Sequence, residues 1–479
     1  MEPFDVHKFD FTTEEALEAP KQNRLLSAEI EFNRSCNFRC LYCYAAGSAA
    51  ELPHEAAVKA IHDVATLGAR KIVILGGEPL LCRRLKEYIL LAESLGMGSE
   101  IFTNASLVDE DWAQFFYEHN CRVAVKLNSL DPAVHDRLTG APGSLEKTLR
   151  AIDILQKAGL DDQRLAASSV ICSANEKEVV SLWKYLRSRH IKPYLEIMTP
   201  QGRLLEHRDL EVHPRRLKEI FDEIAAFDRS QGYEWDPQPP LVGATCLRHQ
   251  YSCVIGATGD VYPCVGMTIK LGSVLEKPLA EIIFNSKILN QLKDFRNMIK
   301  GPCRTCEKAD RCYGCRGAAY QLTGNYLASD PLCWRNCDEL LFQPPHLPCD
   351  ATQYLPHSPP IVMVTRLLDI GEWSTVEAKI TPDNRFLRNN VFDVEALPEI
   401  AAQACAAVSG FEKGERHIKG LLTGLRNFEA LAPVHGGDTL HVIVCETANI
   451  DQYFIVEFSI RRPADNVLCA RGELSLCRI

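Results

Sequence analysis

Three cysteines stand close together near the N-terminus. The segment CNFRCLYC places Cys36, Cys40 and Cys43 in a C-x3-C-x2-C pattern. Three thiolates on one short loop can hold three irons of a cubane iron–sulfur cluster, which leaves the fourth iron without a protein ligand. An open coordination position is typical of a catalytic metal centre, whereas a structural site is closed. A zinc site is the alternative, although three cysteines with no nearby histidine or fourth cysteine suit zinc less well.

A second group of cysteines follows in the middle of the chain. The whole chain has 20 cysteines, and clustered cysteines outside a secreted scaffold indicate metal or redox ligands. Eight thiolates suffice for two fully ligated iron–sulfur clusters, and zinc is again the alternative. The eight members of this group are Cys246, Cys253, Cys264, Cys303, Cys306, Cys312, Cys315 and Cys333.

The elements that must position the first cysteine group are strands and helices in alternation. Between residues 25 and 205, six short apolar runs alternate with amphipathic segments, which predicts a parallel sheet with right-handed crossovers. Six units are fewer than a full eight-unit barrel, so we expect a partial (β/α)6 barrel in the α/β class. Its chemistry should lie at the C-terminal ends of the strands. The predicted strands are 25–32, 71–75, 100–105, 122–130, 166–175 and 194–200.

The rest of the chain divides by composition. Residues 1–24 form an N-terminal extension, and the cysteine-rich region 206–342 is expected to be organised by metal more than by a large apolar core. Residues 343–353, rich in proline and polar groups, predict a linker. Residues 354–479 show a helix at about 395–409 and then four strand-like runs, which predicts an α+β domain with an antiparallel sheet.

The first cysteine motif resembles the signature of radical S-adenosylmethionine (SAM) enzymes. Tyr42 and Tyr44 flank Cys43, and the segment Gly76, Gly77, Glu78 and Pro79 after the second strand resembles the GGEP element of that family. The resemblance implies a [4Fe–4S] cluster on the three cysteines, with SAM on the fourth iron and its ammonium held by GGEP. It also implies that one electron cleaves SAM to a 5′-deoxyadenosyl radical, which abstracts a substrate hydrogen.

Further residues match that family by position. FTNAS (102–106) lies where the family has a T-N-G strand end, with Asn104 kept and Ala105 in place of the glycine. The resemblance implies that Lys126, Asn128 and Ser129 meet the ribose and carboxylate of SAM; ordinary polar residues at a strand end are the alternative. Arg203, in TPQGR, would pair with a carboxylate, unless it is a solvated arginine.

The second cysteine group resembles a SPASM domain, the auxiliary-cluster extension of radical SAM peptide-modifying and related enzymes. The resemblance implies one cluster on Cys246, Cys253, Cys264 and Cys315, and another on Cys303, Cys306, Cys312 and Cys333. Two residues, Tyr313 and Gly314, separate Cys312 from Cys315, where three are usual. The shorter spacing is similar to that of tetrapyrrole-modifying variants. This departure leaves open whether the chain binds one or two auxiliary clusters. They would relay electrons or hold substrate.

The C-terminal region resembles a hot-dog domain of the 3-hydroxyacyl-[acyl-carrier-protein] dehydratase type. The matching segments are 354–372, the helix LPEIAAQACAA (397–407) and GGDTL (436–440). In that family a helix acid and a histidine in the preceding loop transfer the protons. Glu399 has the helix position, but loop 384–392 has no histidine, and His357 is expected at a strand start. Glu399 alone could serve thioester hydrolysis, or could be a cap or interface carboxylate.

Together these motifs predict an enzyme that uses radical SAM chemistry on an acyl group linked to a carrier protein or CoA. A peptide substrate is the main alternative, and a thioesterase on a non-catalytic metal-binding scaffold is the least favoured. Flavodoxin or ferredoxin would donate electrons, and the hot-dog domain would pair two copies. The net charge of −10 argues against nucleic acid, and no apolar stretch approaches the ~20 residues of a membrane span. Without a signal-peptide pattern at residue 1, we expect a cytoplasmic protein.

Overall fold

A computed structural model describes residues 4–45, 48–336, 347–355, 357, 360–371, 373–413, 420–450 and 452–478. The contacts divide the chain into two compact units, Met1–Leu340 and Leu341–Ile479. Each unit has a hydrophobic core of its own. Among the residues in these ranges, no helix combines the length and the apolar character needed to cross a membrane.

The first unit is built on a parallel sheet whose six strands are neighbours in sequence order, as predicted. The register places Ala28 beside Ile72 and Ile30 beside Ile74, and all four side chains pack in the core. Since side chains alternate along a strand, Glu29 between them points to the barrel interior. The strands are β1 (Ser27–Glu31), β2 (Lys71–Leu75), β3 (Gly98–Thr103), β4 (Arg122–Lys126), β5 (Leu165–Ile171) and β6 (Lys192–Ile197).

Helices connect these strands on the outer face of the sheet. Ala60, Ile61 and Val64 bury one face of the first connecting helix against the sheet. Asp109 and Asp131 begin two others by accepting backbone hydrogen bonds, the usual role of an N-cap aspartate. The connecting helices are α2 (His54–Thr66), α3 (Leu85–Ser94), α4 (Glu110–Glu118), α5 (Pro132–Thr139), α6 (Ser144–Lys157) and α7 (Val179–Ser188). Helix α1 (Thr13–Glu18) precedes β1.

The N-terminal extension covers the opposite end of the barrel from the strand C-termini. It contains 3-10 turns at Val6–Phe9 and Ala19–Gln22 on either side of α1. The Asp10 carboxylate accepts hydrogen bonds from Arg122 (2.8 and 3.1 Å) and from Lys192 (2.5 Å) at the starts of β4 and β6. The carbonyl of Phe9 accepts from Lys71 Nζ at 2.8 Å. These contacts join the extension to three barrel strands.

The cysteine-rich region shares the core of the barrel, which corrects the expectation that metal would organise it more than a large apolar core. Leu279, Leu292 and Phe295 are buried in the same hydrophobic cluster as the barrel strands. Its strands also extend the barrel sheet, because β7 pairs in parallel with β1. The elements are α8 (Pro214–Ser230), α9 (Arg248–Tyr251), β7 (Val254–Ile255), β8 (Asp260–Tyr262), β9 (Gly272–Ser273), α10 (Leu279–Phe284), α11 (Lys287–Lys293), α12 (Phe295–Met298), α13 (Pro302–Thr305) and α14 (Arg316–Thr323).

The second unit is an antiparallel sheet of seven strands with one long helix packed against it. The strand order is β10-β11-β12-β16-β17-β18-β15, and Ile400, Ala401 and Ala404 bury one face of helix α15 (Leu397–Lys413). Four strands follow the helix, as predicted. The strands are β10 (Cys349–Asp350), β11 (Val364–Asp369), β12 (Ser374–Lys379), the β13 (Leu387–Arg388) and β14 (Val391–Phe392) pair, β15 (Gly420–Ala430), β16 (Thr439–Ile450), β17 (Tyr453–Arg462) and β18 (Val467–Arg478).

Candidate functional site

A cavity of about 610 Å³ opens at the C-terminal ends of the barrel strands. Its lining includes Leu75, Thr103, Lys126 and Ile197, which are the last residues of β2, β3, β4 and β6. The cavity brings together most of the residues that the sequence predicts for the site. These are Cys36, Cys40, Tyr42, Cys43, Gly76, Gly77, Glu78, Asn104, Lys126 and Arg203.

The three cysteines of the first motif lie on the loop that follows β1. The Cys36 Sγ accepts a hydrogen bond from the Phe38 N–H at 3.4 Å, and Asn104 Nδ2 lies 3.9 Å away. Burial raises the pKa of Cys40 to about 12 and also raises the pKa of Cys36 and of Cys43. A bound metal centre would reverse this preference, since metal ligation requires thiolates.

The donor set suits a polynuclear centre better than a single ion. Within the described ranges, no group of three or more His, Cys, Asp or Glu side chains is arranged to hold one metal ion. A tetrahedral zinc site requires all its ligand sulfurs about 2.3 Å from one point. Three cysteines on one loop fit a [4Fe–4S] cluster, in which each thiolate binds a different iron.

Gly76 and Gly77 allow the turn after β2 to pack against the cysteine loop. An added Cβ at Gly77 would lie 2.1 Å from the Ser35 carbonyl oxygen, and one at Gly76 would lie 2.4 Å from that of Asn33. Gly76 also has a left-handed φ of 119°. The Gly77 and Glu78 N–H groups donate to the Asn33 and Ser35 carbonyls at 3.0 and 2.8 Å. The glycines therefore fix the distance between the turn and the cysteine loop.

The Glu78 carboxylate is almost fully engaged within the protein. Its side chain is buried, and it accepts hydrogen bonds from Thr103 Oγ1 (2.6 Å), the Leu80 N–H (3.0 Å) and the Asn104 N–H (2.8 Å). A carboxylate offers about four acceptor positions, so about one remains for the ammonium of SAM. Glu78 therefore also fixes the end of β3 beside the cysteine loop, a role that the sequence did not predict.

Lys126 and Tyr42 lie together on one wall of the cavity, and Lys126 brings a positive charge there. Lys126 Nζ lies 5.2 Å from the centre of the Tyr42 ring and donates to Ser168 Oγ at 3.3 Å. Burial lowers the pKa of Lys126, while the nearby carboxylate of Glu196 and thiols of Cys40 and Cys43 oppose this shift. A cation at the strand end suits the carboxylate of a bound amino acid group.

Three predicted residues lie outside the cavity lining. Pro79 begins a short 3-10 turn, Pro79–Leu81. Asn128 Nδ2 donates to the Tyr42 hydroxyl at 2.5 Å, and its Oδ1 accepts from the Val170 N–H at 3.2 Å. Ser129 Oγ donates to Glu178 Oε2 at 2.6 Å. Asn128 thus positions Tyr42, and direct contact of these residues with SAM stays a prediction.

Arg203 and Asn104 are tied to the cysteine loop. The Arg203 N–H donates to the Cys43 carbonyl at 3.0 Å, and Gly202, with a left-handed φ of 57°, allows that approach. Asn104 Nδ2 donates to Asn37 Oδ1 at 2.8 Å. The Arg203 backbone and the Asn104 side chain therefore contact the cysteine loop from two directions, one from the segment after β6 and one from the end of β3.

The cysteines of the second motif lie in two neighbourhoods. In one, Cys303 Sγ accepts from Asn336 Nδ2 (3.1 Å) and the Asp330 N–H (3.5 Å), and Cys312 Sγ accepts from the Gly314 N–H (3.4 Å). Burial, the Asp330 carboxylate and the thiols of Cys303 and Cys306 raise the pKa of Cys312. Burial, Asp330 and the thiols of Cys303 and Cys312 raise the pKa of Cys333. Asn336 and Asp330 are contributors that the sequence analysis missed, because nothing in their spacing marks them.

The other neighbourhood borders the barrel cavity. Cys315 Sγ accepts from the Ala318 N–H at 3.3 Å and lies 3.9 Å from Thr199 Oγ1, and Thr199 lines the cavity. Burial, then the Asp330 carboxylate, and then the thiols of Cys246 and Cys264 raise the pKa of Cys315. An auxiliary cluster here would therefore lie within reach of whatever the cavity binds.

In the second unit, the structure places a histidine beside Glu399. His357 Nε2 lies 3.9 Å from Glu399 Oε1, and both side chains are partly exposed. Gln403 Nε2 donates to Glu399 Oε1 at 3.0 Å and to the Ile361 carbonyl at 2.9 Å, which fixes the carboxylate against the chain near His357. The loop before α15 lacks a histidine, as expected, but the LPH segment supplies one instead.

Profiles of three known protein families match three separate parts of the chain. The profile described as "Radical SAM superfamily" matches residues 30–186, and the SPASM profile, "Iron-sulfur cluster-binding domain", matches residues 246–312. The profile described as "ApeP dehydratase" matches residues 349–478. The chain therefore contains a radical SAM domain, a SPASM domain and a dehydratase-like domain, and it is an enzyme.

Curated relatives match about two thirds of this chain. The AdoMet-dependent heme synthase of Methanosarcina barkeri is 25% identical over 343 residues, 63% of this chain and 94% of its own. The PqqA peptide cyclase of Streptomyces rochei is 26% identical, covering 64% of this chain and 88% of its own. The radical SAM and SPASM matches confirm the predicted cofactors, SAM and iron–sulfur clusters.

Solved structures support the fold of the same region. Streptococcus suis SuiB bound to S-adenosylmethionine superposes with a TM-score of 0.53 at 15% identity, over 65% of this chain and 78% of SuiB. The structure of anSMEcpe with bound AdoMet and Cp18Cys peptide gives 0.53 at 18% identity, over 66% of this chain and 96% of that chain. The predicted partial barrel with a cysteine-rich extension is confirmed.

Proposed function

We propose that this enzyme abstracts a hydrogen atom from an acyl group carried as a thioester on an acyl carrier protein or CoA. The observation that carries the proposal is the pairing of chemistries in one chain. In one unit, the three-cysteine loop lines the cavity. The other unit matches a dehydratase family and places His357 beside Glu399. A hot-dog unit of the 3-hydroxyacyl dehydratase type supplies a binding site for the thioester.

The cavity residues have distinct tasks in this proposal. When bound, the cluster on Cys36, Cys40 and Cys43 and its SAM supply the 5′-deoxyadenosyl radical. Lys126 and Arg203 would hold the SAM carboxylate, because both bring positive charge to the cavity wall.

Deuterium transfer tests the substrate class. The enzyme is reconstituted without oxygen, reduced with dithionite and incubated with SAM and a perdeuterated acyl thioester. We expect deuterium in 5′-deoxyadenosine, and none with the Cys40→Ala variant. Formation of 5′-deoxyadenosine that no acyl thioester stimulates would contradict the proposal. Transfer from a deuterated peptide instead would favour the alternative of a peptide substrate.

A second activity is supported by the contact between His357 and Glu399. We propose that this pair eliminates water from a 3-hydroxyacyl thioester. One side chain takes the C2 proton while the other protonates the departing C3 hydroxyl, so that an enoyl thioester and water result. Gln403 is a positioning residue, because it holds the Glu399 carboxylate.

The pair is tested by substitution and enoyl formation. We expect His357→Asn and Glu399→Gln each to lower the dehydration rate by roughly 10²- to 10⁴-fold. His435→Asn is the matched control, since His435 also lies 3.9 Å from a carboxylate, Asp438, in the same unit. Equal rates in all three variants would contradict the assignment. Release of a free thiol that depends on Glu399 would favour thioester hydrolysis instead.

A further inference from the structure

Arg316 is a buried cation that directly follows a cysteine of the second motif. It is the first residue of α14, comes after Cys315 in the chain, and is 1% exposed. Its Nη1 donates to the carbonyls of Tyr326 and Ala328 at 2.9 and 2.5 Å. These two bonds fix the guanidinium inside the cysteine-rich region, away from water.

The other two nitrogens of this guanidinium, Nε and Nη2, are buried without an acceptor among the residues that the structure describes. Two further buried arginines of the same unit differ in this respect. Arg122 donates from all three nitrogens, to the Gln163 carbonyl and the Asp10 carboxylate, and Arg164 donates from Nε and Nη2 to carbonyl groups. A buried, charged donor without an acceptor is strongly unfavourable, which indicates an acceptor other than the protein at Arg316.

The free side of the guanidinium lies beside the turn that ends at Cys315. A Cβ added at Gly314, within this turn, would lie 3.2 Å from Arg316 Nη2 and 3.1 Å from Asp330 Oδ2. The Asp330 carboxylate accepts from the Cys315 N–H at 2.7 Å, and the Asp330 N–H donates to Cys303 Sγ at 3.5 Å. Arg316 therefore brings its positive charge to the segments that carry the cysteines of the second motif.

We propose that Arg316 donates from Nε and Nη2 to the sulfur atoms of an auxiliary iron–sulfur cluster and raises the reduction potential of that cluster. Sulfides and thiolates are negatively charged acceptors, so a cluster on these cysteines suits the two unpartnered donors. Reduction adds one electron to the cluster. A fixed positive charge with N–H donors stabilises this more negative state more than the oxidised one. The inference rests on the predicted role of these cysteines as cluster ligands, and it is independent of the substrate.

Potentiometric titration followed by electron paramagnetic resonance tests the role of Arg316 in the reconstituted full-length chain. The parent has the three cysteines of the first motif changed to Ala, so that the signals belong to auxiliary clusters. We expect Arg316→Gln to lower the equilibrium constant for reduction of one cluster at least tenfold, which is about 59 mV for one electron. Arg316→Lys should lower it less, because lysine keeps the charge but not the planar fork of donors. Arg335→Gln is the matched control, since Arg335 is an exposed arginine of the same region that pairs with Glu307 at 2.8 Å.

Iron content separates an effect on the potential from a purely structural role. We expect Arg316→Gln, Arg316→Lys and Arg335→Gln to keep the iron of the parent. An unchanged potential in Arg316→Gln with full iron would overturn the inference, as would an equal shift in Arg335→Gln. If Arg316→Gln loses iron, Arg316→Lys decides: a lowered potential supports the inference, and an unchanged potential overturns it. A parent without iron would instead overturn the assignment of these cysteines to auxiliary clusters.

Discussion

Ala105 has a backbone conformation that favours glycine. Its φ is 62°, and it follows Asn104 at the position where the radical SAM signature has a glycine. A non-glycine residue in the left-handed region costs about 1–2 kcal/mol. We therefore expect Ala105→Gly to destabilise the protein less than Ala124→Gly does. The loss in free energy of unfolding should be about 1 kcal/mol smaller for Ala105→Gly. Ala124 is an equally buried alanine in β4.

Denaturant unfolding of the two variants measures this difference. Equal losses from Ala105→Gly and Ala124→Gly would show that the left-handed conformation adds no strain at Ala105. The sequence identified the position through the missing glycine, but only the backbone geometry shows that the substitution is strained.

His135 links the stability of the first unit to pH. It is buried beneath the end of β4, where its Nδ1 accepts from the Asn128 N–H at 3.2 Å, and burial lowers its pKa to about 4. In the unfolded chain its pKa returns to about 6.5, so the unfolded state binds more protons between pH 6.5 and 4. The neutral histidine therefore contributes stability above pH 6.5, and this contribution is lost as the pH falls toward 4.

A variant comparison isolates this contribution. The difference in unfolding free energy between the wild type and His135→Gln should shrink by about 1.4 kcal/mol from pH 7.5 to pH 5.5. All other titrating groups are common to both proteins and cancel in the difference. The same difference at both pH values would show that His135 titrates alike in the folded and unfolded states.

The turn after β2 is the element that sets the geometry of the cysteine loop. We expect Gly77→Ala to lose about four irons per chain, since its Cβ would lie 2.1 Å from the Ser35 carbonyl oxygen and displace the loop. Gly371→Ala is the control, because the described residues, apart from its own chain neighbours, place no atom within 4 Å of the methyl group it would add. Full iron content in Gly77→Ala, with unchanged circular dichroism, would show that the loop tolerates the displacement.

Local patterns in the sequence predict the strands and helices, because burial on one face imposes its period on each segment. Six barrel strands in sequence order and four strands after α15 are found as predicted. Contacts between distant segments leave no such period. The hydrogen bonds of Asp10 to β4 and β6 and the approach of His357 to Glu399 therefore required the structure.

Two separate hydrophobic cores allow the units to be tested apart. Strand β15 is an edge of the second sheet and exposes Leu421, Leu422 and Leu425, which favours pairing with a second copy. We expect light scattering to give twice the 53.6 kDa chain mass for the full-length protein and a monomer for residues 1–345. A monomeric full-length protein would contradict dimerisation through the hot-dog unit.

The chemistry assigned to the barrel cavity depends on the three-cysteine loop. The decisive measurement is anaerobic reconstitution with iron and sulfide, followed by an assay of 5′-deoxyadenosine from SAM and dithionite in the wild type, Cys40→Ala and Cys82→Ala. Cys82 is a buried cysteine outside the cavity lining. We expect SAM cleavage in the wild type and Cys82→Ala, and its loss together with about four irons in Cys40→Ala. Bound zinc in place of iron, or SAM cleavage that survives Cys40→Ala, would contradict this assignment.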